Sequence, residues 1–90
     1  MQETEFSRLM RQTRQDAGMG TTELAYRAGV SLATVVRAES GHALPNRSTL
    51  AALLRALGAS GNQEIIRAHA RCRALQAKRR RERAPASTNK

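Results

Sequence analysis

The sequence predicts an all-α protein, a small bundle of about five short helices containing a helix-turn-helix and followed by a basic C-terminal helix or tail. Three observations carry this expectation. Residues 21 to 40 form two short amphipathic segments that meet at Gly29-Val30-Ser31, where a glycine free to take a left-handed backbone ends one helix and a serine hydroxyl can cap the next. Leu50, Leu53, Leu54 and Leu57 fall within a narrow arc of a further helix. Residues 63 to 84 are almost uninterrupted helix formers, increasingly arginine-rich toward the end.

The first helix is expected from about Glu5 to Ala17, opened by Thr4 and closed by Gly18, with Phe6, Leu9, Met10, Thr13 and Ala17 on one side and Arg8, Arg11 and Gln15 on the other. The second starts at Gly20 or Thr21, with Glu23 near the first-turn amides, where a carboxylate suits the helix dipole. Leu24, Ala25, Ala28, Val30, Val35 and Ala38 are the small and apolar side chains that two steeply crossing helices need between them. On a wheel for residues 31 to 40, Ser31, Val35, Ala38 and Glu39 share one side. Ala33, Val36, Arg37 and Ser40 point the other way, with Leu32 on the shoulder, so this third helix has an inner face and a displayed face. Pro45 and Asn46 introduce the fourth helix, which Gly58 ends. After a hinge at Ala59-Ser60-Gly61-Asn62, the last helix carries a thin stripe of Ile65, Ala68, His69, Cys72, Leu75 and Ile66, with Arg67, Arg71 and Lys78 opposite. So weak a stripe does not sustain an isolated helix and is expected to dock, on its own chain's core or on a second chain.

At 90 residues the chain is one small domain, and with one phenylalanine, one tyrosine and no tryptophan its core must be aliphatic. Cys72 stands alone, which excludes an internal disulfide and fits a reducing compartment. The beginning of the sequence lacks a basic segment followed by an apolar one, and no stretch approaches the length of a membrane span, so a cytoplasmic location is expected. The net charge of +9 is uneven. Residues 1 to 60 hold seven arginines against five acids, leaving +2, whereas residues 61 to 90 hold nine Lys or Arg against Glu64 and Glu82, leaving +7. A polyanionic partner follows, nucleic acid ahead of membrane, because no bulky apolar face accompanies the positive charge.

The stretch from Phe6 to Leu57 resembles the XRE family of helix-turn-helix domains, the class that includes the small phage repressors such as Cro. The resemblance rests on Arg14, Gly18, Leu24-Ala25, Gly29-Val30-Ser31, Thr34-Val35, Glu39, Gly41, Pro45, Thr49-Leu50 and Ala56-Leu57-Gly58. It implies a lambda-repressor-like bundle whose third helix enters the DNA major groove. It aligns Leu32, Ala33, Val36 and Arg37 with base-reading positions, and Thr21, Thr22, Thr34, Ser40, His42 and Asn46 with contacts to the sugar-phosphate backbone. It also implies an ion pair between Arg14 and Glu39, joining the first helix to the third. Two departures stand out: Thr13 occupies a position where leucine is usual, and Ala38 replaces a larger aliphatic residue, so the core is expected to be lean and in need of cover.

Several roles stay open at this stage. Thr21 and Thr22 either cap the second helix or bind phosphate, or do both; His42 is either a backbone contact or a solvated loop residue. The displayed face of the third helix is more apolar than in relatives. Arg37 can pair bidentately with guanine while Leu32, Ala33 and Val36 lie against thymine methyls, or the face is a protein-binding surface. His69 and Cys72, three apart, form a possible metal pair, set against a reading as a snorkelling imidazole and a buried thiol. No metal, cofactor or catalytic set is expected, since no convergent acid, base and nucleophile can be assembled, and the chain is not expected to be an enzyme.

The expected organisation is a DNA-binding helix-turn-helix domain over 1–60, a basic helix for docking or dimerisation over 61–84 and a disordered tail over 85–90. Arg79, Arg80 and Arg81 are expected to grip phosphates. The function expected is a sequence-specific regulator of transcription, bacterial or phage-encoded and on the nucleoid when bound, most readily a homodimeric repressor that blocks its operator. The alternative is a protein-partner module, an antitoxin or an adaptor to the transcription machinery; an RNA binder driven by the arginine arm is a third reading. With no further domain to bind an effector, regulation is expected from concentration, operator arrangement or a partner protein.

Overall fold

The computed structural model describes the backbone of residues 3–88 and the side-chain surroundings of residues 3–80. It holds five helices: α1 Glu5–Asp16, α2 Thr21–Ala28, α3 Leu32–Ser40, α4 Arg47–Ala56 and α5 Gln63–Thr88. No strand occurs among the described residues.

Four of the five helices open on a capping side chain. The Thr4 hydroxyl accepts the Ser7 amide at 3.0 Å, and Ser7 returns the bond by accepting the Thr4 amide at 2.8 Å. Ser31 accepts the Thr34 amide at 3.1 Å to open α3, Asn46 accepts the Thr49 amide at 2.8 Å to open α4, and Asn62 accepts the Ile65 amide at 3.1 Å to open α5. The turn between α2 and α3 depends on Gly29, whose φ of 72° places it in the left-handed region while its amide closes onto the Tyr26 carbonyl.

The core gathers Phe6 and Met10 from α1, Leu24 and Ala25 from α2, Val35 and Ala38 from α3, Leu50, Leu53 and Leu54 from α4, and Ile65 and Ala68 from α5. The expected leucine arc of α4 is buried apart from Leu57, which packs half-buried against the same cluster. α3 packs on α1 and α2, α4 packs on α2, and α5 packs on α1. The last helix therefore docks on its own chain. It does so with its first half: Ile65, Ala68 and His69 are buried and Cys72 is half-buried, but Leu75, expected in the same stripe, is 50% exposed. Every residue from Arg73 to Arg80 is exposed. This part of α5 runs clear of the bundle, in keeping with extents of 51 × 24 × 24 Å.

No break in the helical backbone marks residue 84, where the helix is expected to give way to a tail; helix continues to Thr88. The side chains of that segment, Arg81 included, lie outside the described residues, as do residues 89 and 90 altogether.

His69 differs from the expectation of a snorkelling side chain. The residue is 3% exposed, and Nε2 donates to the Pro45 carbonyl at 2.6 Å, which fixes the proton on that nitrogen because a carbonyl only accepts. The ring also stands edge-on to Phe6, 5.4 Å between centroids. No group of three or more metal-ligating side chains lies among the described residues.

Candidate nucleic-acid interface

α3 is short and would be marginal alone, so its orientation has to come from what holds its inner face. Val35 is 1% exposed and Ala38 2%, both against the core. Glu39, 6% exposed, is gripped by α1: Arg14 Nε donates to Oε2 at 2.7 Å and the Arg14 Nη2 to Oε1 at 3.0 Å, the bidentate fork that guanidinium and carboxylate favour. The third Arg14 nitrogen donates to the Met19 carbonyl at 2.8 Å, tying in the α1–α2 turn. The Glu39 carboxylate holds the Arg14 guanidinium above its ordinary pKa. Arg11, placed on the outer side by the sequence pattern, also reaches α3, donating to the Glu39 carbonyl at 3.2 Å while meeting Glu3 at 3.3 Å. A cation at that carbonyl suits the negative end of the helix.

Held from behind, α3 presents its other face to solvent. Leu32 is 45% and Val36 47% exposed, and Ala33 and Arg37 are exposed beside them. The Arg37 guanidinium has no acidic partner among the described residues. The structure thus brings the four expected base-reading residues onto one uncovered face.

The expected phosphate contacts are arranged less uniformly. Gly20 is the N-cap of α2 and makes no side-chain cap bond, so Thr21 and Thr22 do not cap; they occupy the first turn, beside backbone amides that precede the first intrahelical bond at Leu24. Thr34 is half-buried, and its hydroxyl lies 2.9 Å from that of Ser31. At the far end of α3, Gly41 has φ 81°, and the Ser40 hydroxyl sits 2.9 Å from His42 Nδ1. His42 is exposed but not idle: its amide donates to the Arg37 carbonyl at 3.1 Å, closing the helix. Asn46 is exposed while its side chain caps α4. Arg79 and Arg80 are exposed on the outer part of α5, with no hydrogen bond or ion pair to α3.

Two features escaped the sequence. Tyr26, on α2, is 87% exposed, the largest exposure among the big apolar side chains described, and only its place on the polar side of the α2 wheel hinted at it. Arg71 on α5 clamps Glu5 on α1 through two bonds of 3.0 and 2.6 Å, a pairing 66 positions apart that no local pattern could announce.

No curated protein and no solved structure matches the chain. Residues 5–64, from the first residue of α1 to the second of α5, match a family described as helix-turn-helix domain, and they include every element that positions α3. With two thirds of its length so matched, the chain belongs to the helix-turn-helix domain family.

Proposed function

We propose that the protein is a sequence-specific regulator of transcription that binds double-stranded DNA through α3 and acts, as a homodimer, by occupying its operator. The observation that carries this reading is the pairing of a clamped inner face with an uncovered outer one: Glu39 bound bidentately by Arg14, and Leu32, Ala33, Val36 and Arg37 all open to solvent. A reading helix must be rigid where it is held and bare where it reads. Arg37 supplies the strong contact, a bidentate pair to guanine O6 and N7, while Leu32, Ala33 and Val36 suit thymine methyl groups. Thr21 and Thr22 with the first-turn amides of α2, Thr34, and Ser40, His42 and Asn46 around the far end of α3 fit the sugar-phosphate backbone. Arg79, Arg80 and Arg81 add sequence-independent attraction.

Two copies are invoked because one such module covers too little DNA for tight specific binding, whereas a two-fold pair reads half-sites about 34 Å apart. The setting proposed is the cytoplasm of a bacterium or of a phage-infected cell. No described helix is long and apolar enough to cross a membrane.

Selection of bound oligonucleotides from a random duplex pool at near-physiological salt tests the whole reading. A two-fold symmetric consensus with half-sites one helical turn apart is the expected result; no enrichment at all would end it. A second reading has a specific observation behind it. Tyr26, Leu32 and Val36 are large apolar residues exposed on α2 and α3. Such residues also suit a protein partner, as in an antitoxin or a transcription-machinery adaptor. An empty selection together with stoichiometric co-purification of a second protein would favour it.

A further inference from the structure

α5 leans on α1, and between α5 and α4 a groove of about 360 Å³ stays open. Its floor is aliphatic, made by Leu50, Leu54 and Ile66, and the small side chains of Ala51 and Ala70 leave the two walls low. Leu50 and Leu54 belong to the buried core, so the groove reaches the hydrophobic centre of the molecule. Its rim is cationic. Arg47 and Arg55 on α4 and Arg73 on α5 all line it and are all exposed, and no acidic residue does. Among the described residues none of these three pairs with a carboxylate, whereas Arg11, Arg14, Arg27 and Arg71 each do. Ser60, in the α4–α5 connection, closes one end. Toward the other end Arg47 and Arg73 also line a shallower depression with Leu44, Pro45 and Gln76, so these two arginines stand at the junction.

We propose that this groove binds a small amphipathic anion, an aliphatic or aromatic body on the Leu50-Leu54-Ile66 floor with a carboxylate or equivalent head group held by Arg47 and Arg73. An apolar concavity with a few convergent polar groups is the usual form of a small-molecule site, and this volume is near the lower end of the range of about 300 to 1,000 Å³ such sites span. Guanidinium groups are the side chains best matched to a planar anionic head. A second copy paired groove to groove about a two-fold axis would set the same three arginines against one another, which argues against it as the occupant. No residue of α2 or α3 lines the groove.

The test is a fluorescence titration of the full chain with 1-anilinonaphthalene-8-sulfonate, followed by its displacement with saturated carboxylates of about six to about twelve carbons and with the matching primary alcohols. Occupancy of a defined groove predicts one site per chain and affinity rising about fourfold per methylene until the floor is covered, then levelling off. Carboxylates should bind about tenfold or more tightly than the alcohols. The double variant Arg47→Gln/Arg73→Gln should erase that preference, and Arg67→Gln, an exposed arginine outside the groove, should leave it intact. Ala70→Phe and, independently, Ala51→Leu fill the walls from exposed positions, and each should weaken binding while the circular-dichroism melt shows a folded protein. Equal losses in Arg67→Gln and the double variant, no preference for carboxylate over alcohol, or undiminished binding by both filled variants would overturn the proposal.

Discussion

The clamp between α1 and α3 makes a quantitative demand. Arg14 and Glu39 keep 13% and 8% side-chain exposure, and each guanidinium nitrogen makes one bond, two to the carboxylate and one to the Met19 carbonyl. Arg14→Met leaves the carboxylate with no cation on its oxygens, and Glu39→Met leaves a cation with only the Met19 carbonyl. Breaking a pair buried to this degree costs about 3 kcal/mol, the low end of the usual range, because some solvent still reaches Arg14. In a domain of this size each kcal/mol is about 4–8 °C of Tm, so each single variant should melt about 12–24 °C below the wild type. Replacing both partners removes the stranded charge and should cost about as little as 1 kcal/mol. Urea denaturation of the four proteins therefore predicts a double variant more stable than either single one. Losses that add to within about 0.5 kcal/mol would mean that the two side chains do not stabilise each other, and α3 would need another explanation for its orientation.

Arg37→Ala should weaken specific DNA binding by about 1–3 kcal/mol and relax preference at one base pair per half-site, measured by competition against single-base operator variants; an unchanged preference removes Arg37 from base reading. Removing residues 78–90 should flatten the plot of log affinity against log salt by about 0.9 for each phosphate that is no longer neutralised, and an unaltered slope leaves the arginine arm without a role on duplex DNA. Hydrogen bonding to Arg71 holds the Glu5 carboxyl below its ordinary pKa, so the contribution is present above the ordinary carboxylate range and is lost as pH falls through the depressed value. The Tm gap between wild type and Arg71→Gln should accordingly be open at pH 7 and close in acid, and a gap that persists in acid would assign the difference to packing of the Arg71 stem. Gly29→Ala should cost about 1–2 kcal/mol by thermal melt, a backbone effect alone, since an added Cβ would meet nothing within 4 Å.

What was legible in the sequence was whatever is decided within one or two helical turns. Thr4, Ser31 and Asn46 sit immediately before runs of helix formers, and all three cap as a short polar side chain in that place should. The split of α3 into two faces was equally local, because Val35, Ala38 and Glu39 recur at helical spacing and the exposed residues fill the gaps between them. The pairing of Arg14 with Glu39 was not local and came from a family resemblance. Spacing alone does not choose among partners: a wheel puts His69 on the stripe of α5 but carries no sign of the Pro45 carbonyl opposite, and so leaves the imidazole reaching for solvent. Leu75 shows the converse. It has the right spacing to be buried, but α5 has left the bundle by that point and nothing stands across from it.

The same helix explains how a lean core is closed and why a groove is left. Thr13 is half-buried and spends its hydroxyl on the Leu9 carbonyl at 2.8 Å, and Ala38 contributes only a methyl group to the core. Ile65 and Ala68, both 0% exposed, add to the same cluster from α5, which packs on α1, and burial of the isoleucine alone is worth about 1.5–3 kcal/mol. Three polar ties then fix where α5 can lie: Asn62 caps it, His69 binds Pro45 and Arg71 binds Glu5. One of the two long-range ties goes to α1 and the other to the loop before α4, and neither reaches the body of α4. On the groove that separates the two helices α5 offers Ala70 and α4 Ala51, both with short side chains, and Arg47, Arg55 and Arg73 line it as well. The core is completed on the α1 side at the expense of the α4 side, and the opening that results is a consequence of which residues α5 spends on docking.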